Sequence, residues 1–457
     1  MNALDRAVYH ALNYLESLDA APVGATRDLA TMRRQLLKPL GDDPLPADQV
    51  IDELVADSAG GIIGSAGGRF FAWVLGGTLP AALAADWLTS AWDQNAGLYA
   101  AGPAAAICEE AAGAWLKDLL GLPEGASFAL VTGCQMAHAT CLAAARHAVL
   151  AAQDWDVEER GLACAPAIRI VTGCERHGSI VRAARLLGIG KANVIDLPVN
   201  ALGELEPETL ENELRRETER PAIVSLQAGD VNTGAYDSFR DLIPVAKRHN
   251  AWVHVDGAMG LWAAVSPELR HLLSGVEDAD SWATDGHKWL NVPYDCGYAF
   301  VRDRNAHRAS MSLRESYLVH AAEARDQMDW NPVFSRRARG FATYAALRQL
   351  GRSGVRQLVE RCCEHARALV RGIGSLPGAQ VVWEPRINQG LVRFLDPAGE
   401  DHDRRTDWVI AQVVASGKAF FGGTTWHGMR CMRVSVSNWR TTHEDVALVV
   451  RAFAAIL

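Results

Sequence analysis

Short apolar runs alternate along most of the chain with longer stretches of helical period, and a glycine or small polar residue stops each run. The runs at 128–131, 168–171, 221–226, 252–255 and 281–283 are too short for helices and read as buried strands. Behind the first three come turns and then helical patterns: an Ala-rich one after Gly133, another after His177, and a third that Asp237 or Ser238 is placed to cap. Tandem strand, turn and helix units predict a large, mostly parallel α/β sheet domain.

The flanks read differently. Residues 1 to about 60 are helical and polar on one face, with breaks at Pro22, Pro39 and Pro44. So thin a segment cannot bury its own apolar face and is expected to pack on a neighbour. Pro80 and Pro103 each open a scaffold helix. Past Arg339 a helix over 341–350 leads through Gly351 and Gly354 to strands near 380–383, 389–394 and 432–436, with helices at 405–416 and 442–456, an α+β pattern. The expected division is a helical segment at 1–65, a large α/β domain at 66–350 and a small α+β domain at 351–457.

Composition narrows the class. A chain of 457 residues with 49% apolar content can bury a large core, and 45 bases against 54 acids leave a net charge of −9 without a basic stripe. Nucleic acid is therefore not an expected partner. Nine cysteines without a CxxC pair read as reduced thiols of a cytoplasmic protein. The start, MNALDRAVYHALNYLESL, looks like an amphipathic helix, and no apolar run reaches the roughly 18 residues of a membrane span.

The candidate chemistry lies between Trp252 and Val301. Two strands deliver Asp256 and then Asp285, His287 and Lys288 at their carboxyl ends, where open α/β sheets hold ligands. Pyridoxal phosphate needs a lysine to form a Schiff base and a carboxylate beside its pyridine nitrogen to keep that nitrogen protonated. Lys288 and Asp256 supply both. Gly133, Cys134 and Gln135 open a helix whose first amides suit a phosphate dianion.

HVDGAMG and ADSWATDGHKWLNVPYDCG closely resemble the cofactor segments of the group II pyridoxal-phosphate decarboxylases, the family of the aromatic-amino-acid and glutamate decarboxylases. The resemblance runs from about Gly68 to the last helix and is strongest between Thr132 and Gly297. It implies a fold-type I, aspartate-aminotransferase-like chain and a homodimer with its site near the subunit interface. It further implies that His177 stacks on the cofactor ring and takes part in catalysis, that Ala258 packs under the opposite face, and that Asp230 or Asn232 reaches the ring hydroxyl or Asp256. His287 is the expected further phosphate contact, with Thr284 and Asp285 beside it. Phe71, Trp73 and Leu75 stand where the family lines its substrate pocket, and Arg433 where many fold-type I enzymes hold the substrate carboxylate. Cys134-Gln135 departs from the family's Gly- or Ser/Thr-bearing turn.

The span from Arg308 to Arg339 resembles the segment that closes over the site. The family's aromatic-amino-acid members carry a proton-donating tyrosine there; this chain has Asp329-Trp330 near that place and Tyr317 upstream. Decarboxylation of an L-amino acid is the activity the resemblance implies, and Phe71, Trp73, Leu75 and Trp330 favour an aromatic side chain. Carbon–carbon lyase or oxidative aldehyde-synthase chemistry on the same scaffold is the alternative, and a cofactor-binding pseudoenzyme a more distant one.

Overall fold

The computed structural model describes residues 2–313 and 323–457. Its main sheet contains β1 (Ser127–Val131), β2 (Arg169–Gly173), β3 (Val194–Leu197), β4 (Ala222–Gln227), β5 (Trp252–Asp256), β6 (Ser281–Asp285) and β7 (Gly297–Val301). The spatial order is β1-β7-β6-β5-β4-β2-β3. Neighbours from β6 through β5, β4 and β2 to β3 run parallel, while β7 runs antiparallel between β1 and β6. Except in β3, every residue of these strands is buried, which explains why they read as continuous apolar runs rather than alternations.

The helix Cys134–Ala151 lies against this sheet, and its small side chains allow close approach: Ala137, Ala144 and Ala145 are fully buried in one cluster with Ala129, Ile170, Ala283 and Ala299. The third helix departs from the expected cap. It begins at Phe239, but Ser238 gives no side-chain cap and its hydroxyl donates to Asp241 at 2.5 Å. Asp237 turns inward instead, accepting the amides of Leu205 at 2.9 Å and Gln227 at 2.7 Å.

A second sheet, ordered β10-β11-β9-β8, contains β8 (Ala379–Trp383), β9 (Gln389–Phe394), β10 (Gly422–Trp426) and β11 (Met429–Ser435). The sequence reading has no strand at β10, whose GGTTW lacks an apolar alternation. Two compact units result: residues 1–77, 364–384 and 390–457 form one, and 78–363 with 385–389 the other. This grouping differs from a division at 65 and 350. The amide of Val23 donates to Gly417 O, the amide of Phe71 to Phe420 O, and the amide of Ser435 to Phe71 O, so the first segment is stitched to the last one. Among the described residues no helix is long and apolar enough to cross a membrane.

Candidate active site

The expected cofactor residues all fall in the unit that holds the seven-stranded sheet. Asp256 ends β5 and Asp285 ends the adjacent β6, so neighbouring strands present two carboxylates at one edge. Lys288 follows in the next turn, its Nζ 3.0 Å from Asp285 Oδ2. Burial alone would discharge this amine, but Asp285 outweighs it and holds the ammonium above the usual lysine range.

The other Asp285 oxygen accepts the Cys134 amide at 2.5 Å, at the start of the helix predicted to cup a phosphate. Gly133 packs under His287: a methyl group there would stand 2.9 Å from His287 Cε1, and one on Gly297 would stand 2.5 Å from Gly133 Cα. The backbones of Gly133 and Gly297 thus cross too closely for a side chain at Gly297, with the His287 ring against Gly133. His287 accepts the Cys296 amide on Nδ1 at 3.1 Å, and its ring stacks on Tyr294 with centroids 4.2 Å apart. Burial lowers its pKa despite Asp285, leaving a neutral ring with its proton on Nε2, 3.5 Å from that carboxylate.

Asp256 is buried, which opposes its ionisation. The charge and hydrogen bond of His138 outweigh that cost; His177 and the Ala258 amide, at 3.2 Å, add to the effect and hold the carboxyl well below its usual range. His177 caps the helix Gly178–Leu186, its Nδ1 accepting the Ser179 amide at 3.3 Å, so the ring is positioned by the local chain. Gln135 Nε2 reaches Ser179 O at 3.4 Å, which ties the two helix starts together.

Asp230 folds its own loop: Oδ1 accepts the amides of Asn232 at 2.9 Å and Thr233 at 2.7 Å, while its buried Oδ2 has no partner among the described residues. Thr284 Oγ1 is likewise buried without one.

The substrate candidates belong to the other unit. Phe71 is buried and stacks on Phe421 at 5.2 Å, and Leu75 packs against the cluster of Val23, Phe70 and Ala72. Trp73 is half exposed on a backbone with φ 56° and Val74 follows at 57°, a left-handed pair that costs energy outside glycine. A methyl group on Gly422 would lie 3.4 Å from Trp73 Nε1, and Gly422 faces Arg433 across the β10–β11 ladder. Trp73 and Arg433 therefore share one face of the small sheet.

In the span from Arg308 to Arg339, Trp330 is core, packed at the His307 ring, and Asp329 accepts from Arg308 and Ser312 at 2.8 and 2.9 Å. Tyr317 lies outside the described residues. Arg336 and Arg337 pair with Glu109 and Asp86 at 2.7 Å each. Sequence reasoning missed His138 and His254. The signal was a histidine one helical turn beyond Cys134 and another at the centre of the strand WVHVD.

These residues fit pyridoxal phosphate: a lysine for the aldehyde, an ionised acid for the ring nitrogen, a glycine-walled helix start for the phosphate, and buried polar atoms left unpartnered beside them. Residues 30–395 match the family model described as the pyridoxal-dependent decarboxylase conserved domain. Tryptophan decarboxylase 1 of Oryza sativa subsp. japonica is 28% identical, over 95% of this chain and 89% of its own. The acidic amino acid decarboxylase of Xenopus tropicalis is also 28% identical, over 74% of this chain and 67% of its own. The crystal structure of Oryza sativa TDC with PLP and tryptamine superposes with a TM-score of 0.92 at 24% identity, covering 99% of this chain and 97% of that one. The chain belongs to the pyridoxal-dependent decarboxylase family, carboxy-lyases of fold type I that use pyridoxal 5′-phosphate.

Proposed function

We propose that this enzyme removes the α-carboxylate of an L-amino acid, an aromatic one by preference, to give the amine and carbon dioxide. The observation that carries the reading is the pair of adjacent strand ends: Asp256 held ionised on β5, and Lys288 held on Asp285 one turn past β6. Aromatic preference is supported by the full-length similarity to a tryptophan decarboxylase and by the exposed indole of Trp73 on the face that carries Arg433.

In this reading Lys288 would hold the cofactor through its aldehyde and would be released as the substrate amine takes its place. The bound cofactor supplies an electron sink for the pair released when the bond from Cα to the carboxylate breaks. Asp256 keeps the ring nitrogen protonated, and His177 and Ala258 confine the ring between them. Cys134, Gln135 and His287 hold the phosphate, Asp230 and Asn232 support the edge beside Asp256, and Arg433 binds the substrate carboxylate. Fixing the orientation of the scissile bond through that carboxylate would select decarboxylation over other outcomes. Lys288, freed from the cofactor, is the group available to return a proton to Cα.

The working form is a cytoplasmic homodimer. Nine free cysteines support a reducing compartment. The helix Ala3–Ser17 has no buried residue and exposes Leu4, Val8 and Leu12, an apolar stripe that a second subunit would cover.

Mass spectrometry of products from the cofactor-loaded protein and a mixture of L-amino acids tests the activity, with Lys288→Ala as control. A lysine-dependent amine supports the reading. An aldehyde with ammonia and peroxide would replace it by the oxidative one, and no turnover would redirect it to carbon–carbon lyase substrates or to a non-catalytic role.

A further inference from the structure

Asp256 ends a buried polar chain. His138 Nε2 lies 3.4 Å from Asp256 Oδ2, His138 Nδ1 lies 2.9 Å from His254 Nε2, and His254 Nδ1 lies 2.9 Å from Ser281 Oγ. Ser281 Oγ in turn accepts the indole N–H of Trp252 at 2.9 Å. Both histidines are fully buried, with rings edge to face at 87°. Each of their four ring nitrogens is directed at a polar atom. Two desolvated imidazoles cost more than an apolar pair of the same volume, so packing alone does not account for them.

Donor and acceptor counting limits the chain to two arrangements. Burial and the adjacent His138 push the pKa of His254 down to about 3, so it is neutral and carries a single N–H. If that proton is on Nε2, it is donated to His138 Nδ1, and the proton of His138 must then sit on Nε2, facing Asp256. The Ser281 hydroxyl closes this arrangement by donating to His254 Nδ1. If the proton is on Nδ1, His254 Nε2 accepts from His138 Nδ1–H, and His138 presents a second N–H to Asp256 as an imidazolium. The remaining combination sets a bare Nε2 against the Asp256 carboxylate, a repulsion that the weak S–H donor of Cys134, whose Sγ lies 3.4 Å from the same nitrogen, only partly offsets. Both permitted states leave a donor on Asp256.

We propose that His254, acting through His138, is a positioning residue that keeps an N–H on the inner side of Asp256 and so preserves the carboxylate for the ring nitrogen of pyridoxal phosphate. This rests on the reading of Asp256 given above.

The test compares binding of pyridoxal phosphate with its 1-deaza analogue, in which C–H replaces the ring nitrogen, to the full-length apoprotein. Wild type is expected to prefer the natural cofactor. His254→Phe should cut that preference about tenfold, the equivalent of one unit in the carboxylate's pKa. His254→Gln, whose amide can donate to His138 and accept from Ser281, should stay within about threefold of wild type on the same scale. A folded His254→Phe protein that keeps the preference, or that loses affinity for both compounds alike, overturns the proposal. Should His254→Phe not fold, the imidazole 15N shifts of histidine-labelled wild type decide: a proton on His138 Nε2 supports the relay and a bare Nε2 refutes it. A wild type without any preference overturns the reading of Asp256 itself, and the relay with it.

Discussion

Lys288 Nζ lies 3.0 Å from one oxygen of Asp285, whose other oxygen takes the Cys134 amide at 2.5 Å. One buried carboxylate therefore holds both the amine proposed to anchor the cofactor and the start of the helix proposed to take its phosphate.

Removing its charge should be legible in cofactor capture. The ammonium of Lys288 is held above the usual lysine range by Asp285, against the opposing effect of burial, and only the free amine attacks an aldehyde. Asp285→Asn lowers that pKa, so the rate of pyridoxal phosphate uptake by the apoprotein should rise at a lower pH than in wild type, by about one unit or more. Stopped-flow absorbance across pH 6–10 reads the shift; superimposed profiles would refute the assignment.

His177 has two duties that one substitution separates. Its Nδ1 caps a helix, and its ring is proposed to stack on the cofactor. Asparagine is among the best capping residues, so His177→Asn should leave the melting temperature nearly unchanged while turnover falls about 10²- to 10⁴-fold, the range for a lost acid–base group. Parallel thermal melts and amine-product assays make the comparison.

Arg336 and Glu109 form an ion pair at 2.7 Å with both side chains fully buried, and the guanidinium also donates to Ala96 O and Leu130 O. Arg336→Met leaves an uncompensated buried acid and should cost about 3–5 kcal/mol. The double variant with Glu109→Leu should recover most of that loss. Urea unfolding of the three proteins checks it, and equal losses in single and double variants would contradict the pairing argument.

Asp237 gives the enzyme a pH-dependent weakness. Burial raises its pKa to about 6, against the pull of the Leu205 and Gln227 amides. A folded pKa above the unfolded value near 3.9 means that the folded state binds more protons between about pH 4 and 6. The contribution of this group to stability is thus full below pH 4 and is lost as pH rises through 6. Asp237→Asn should flatten that segment of the stability curve, whatever it does to the absolute value. Denaturant midpoints at pH 5, 6 and 7 provide the slope.

Legibility followed the physics of each position. Strands buried on both faces carry unbroken apolar runs, so β1, β2, β4, β5 and β6 were readable to within a residue or two, and with them the strand ends that bear Asp256 and Asp285. The small sheet was read in part, because β10 is held by its ladder to β11 rather than by its own pattern. Asp237 looked like a cap and became a buried acceptor, since the nearby amides of Leu205 and Gln227 compete for the same oxygens.

By itself the sequence determined the parallel α/β class, the lysine and the two acids, because periodicity and residue chemistry are local properties of the chain. Only the tertiary structure decided what surrounds those groups. It set Asp285 against Lys288, stitched residues 1–77 to the C-terminal strands, and lined His138 and His254 up behind Asp256. Those relationships join residues up to hundreds of positions apart, and hydrogen-bond direction and burial come into being only when the sheet brings them within a few ångströms.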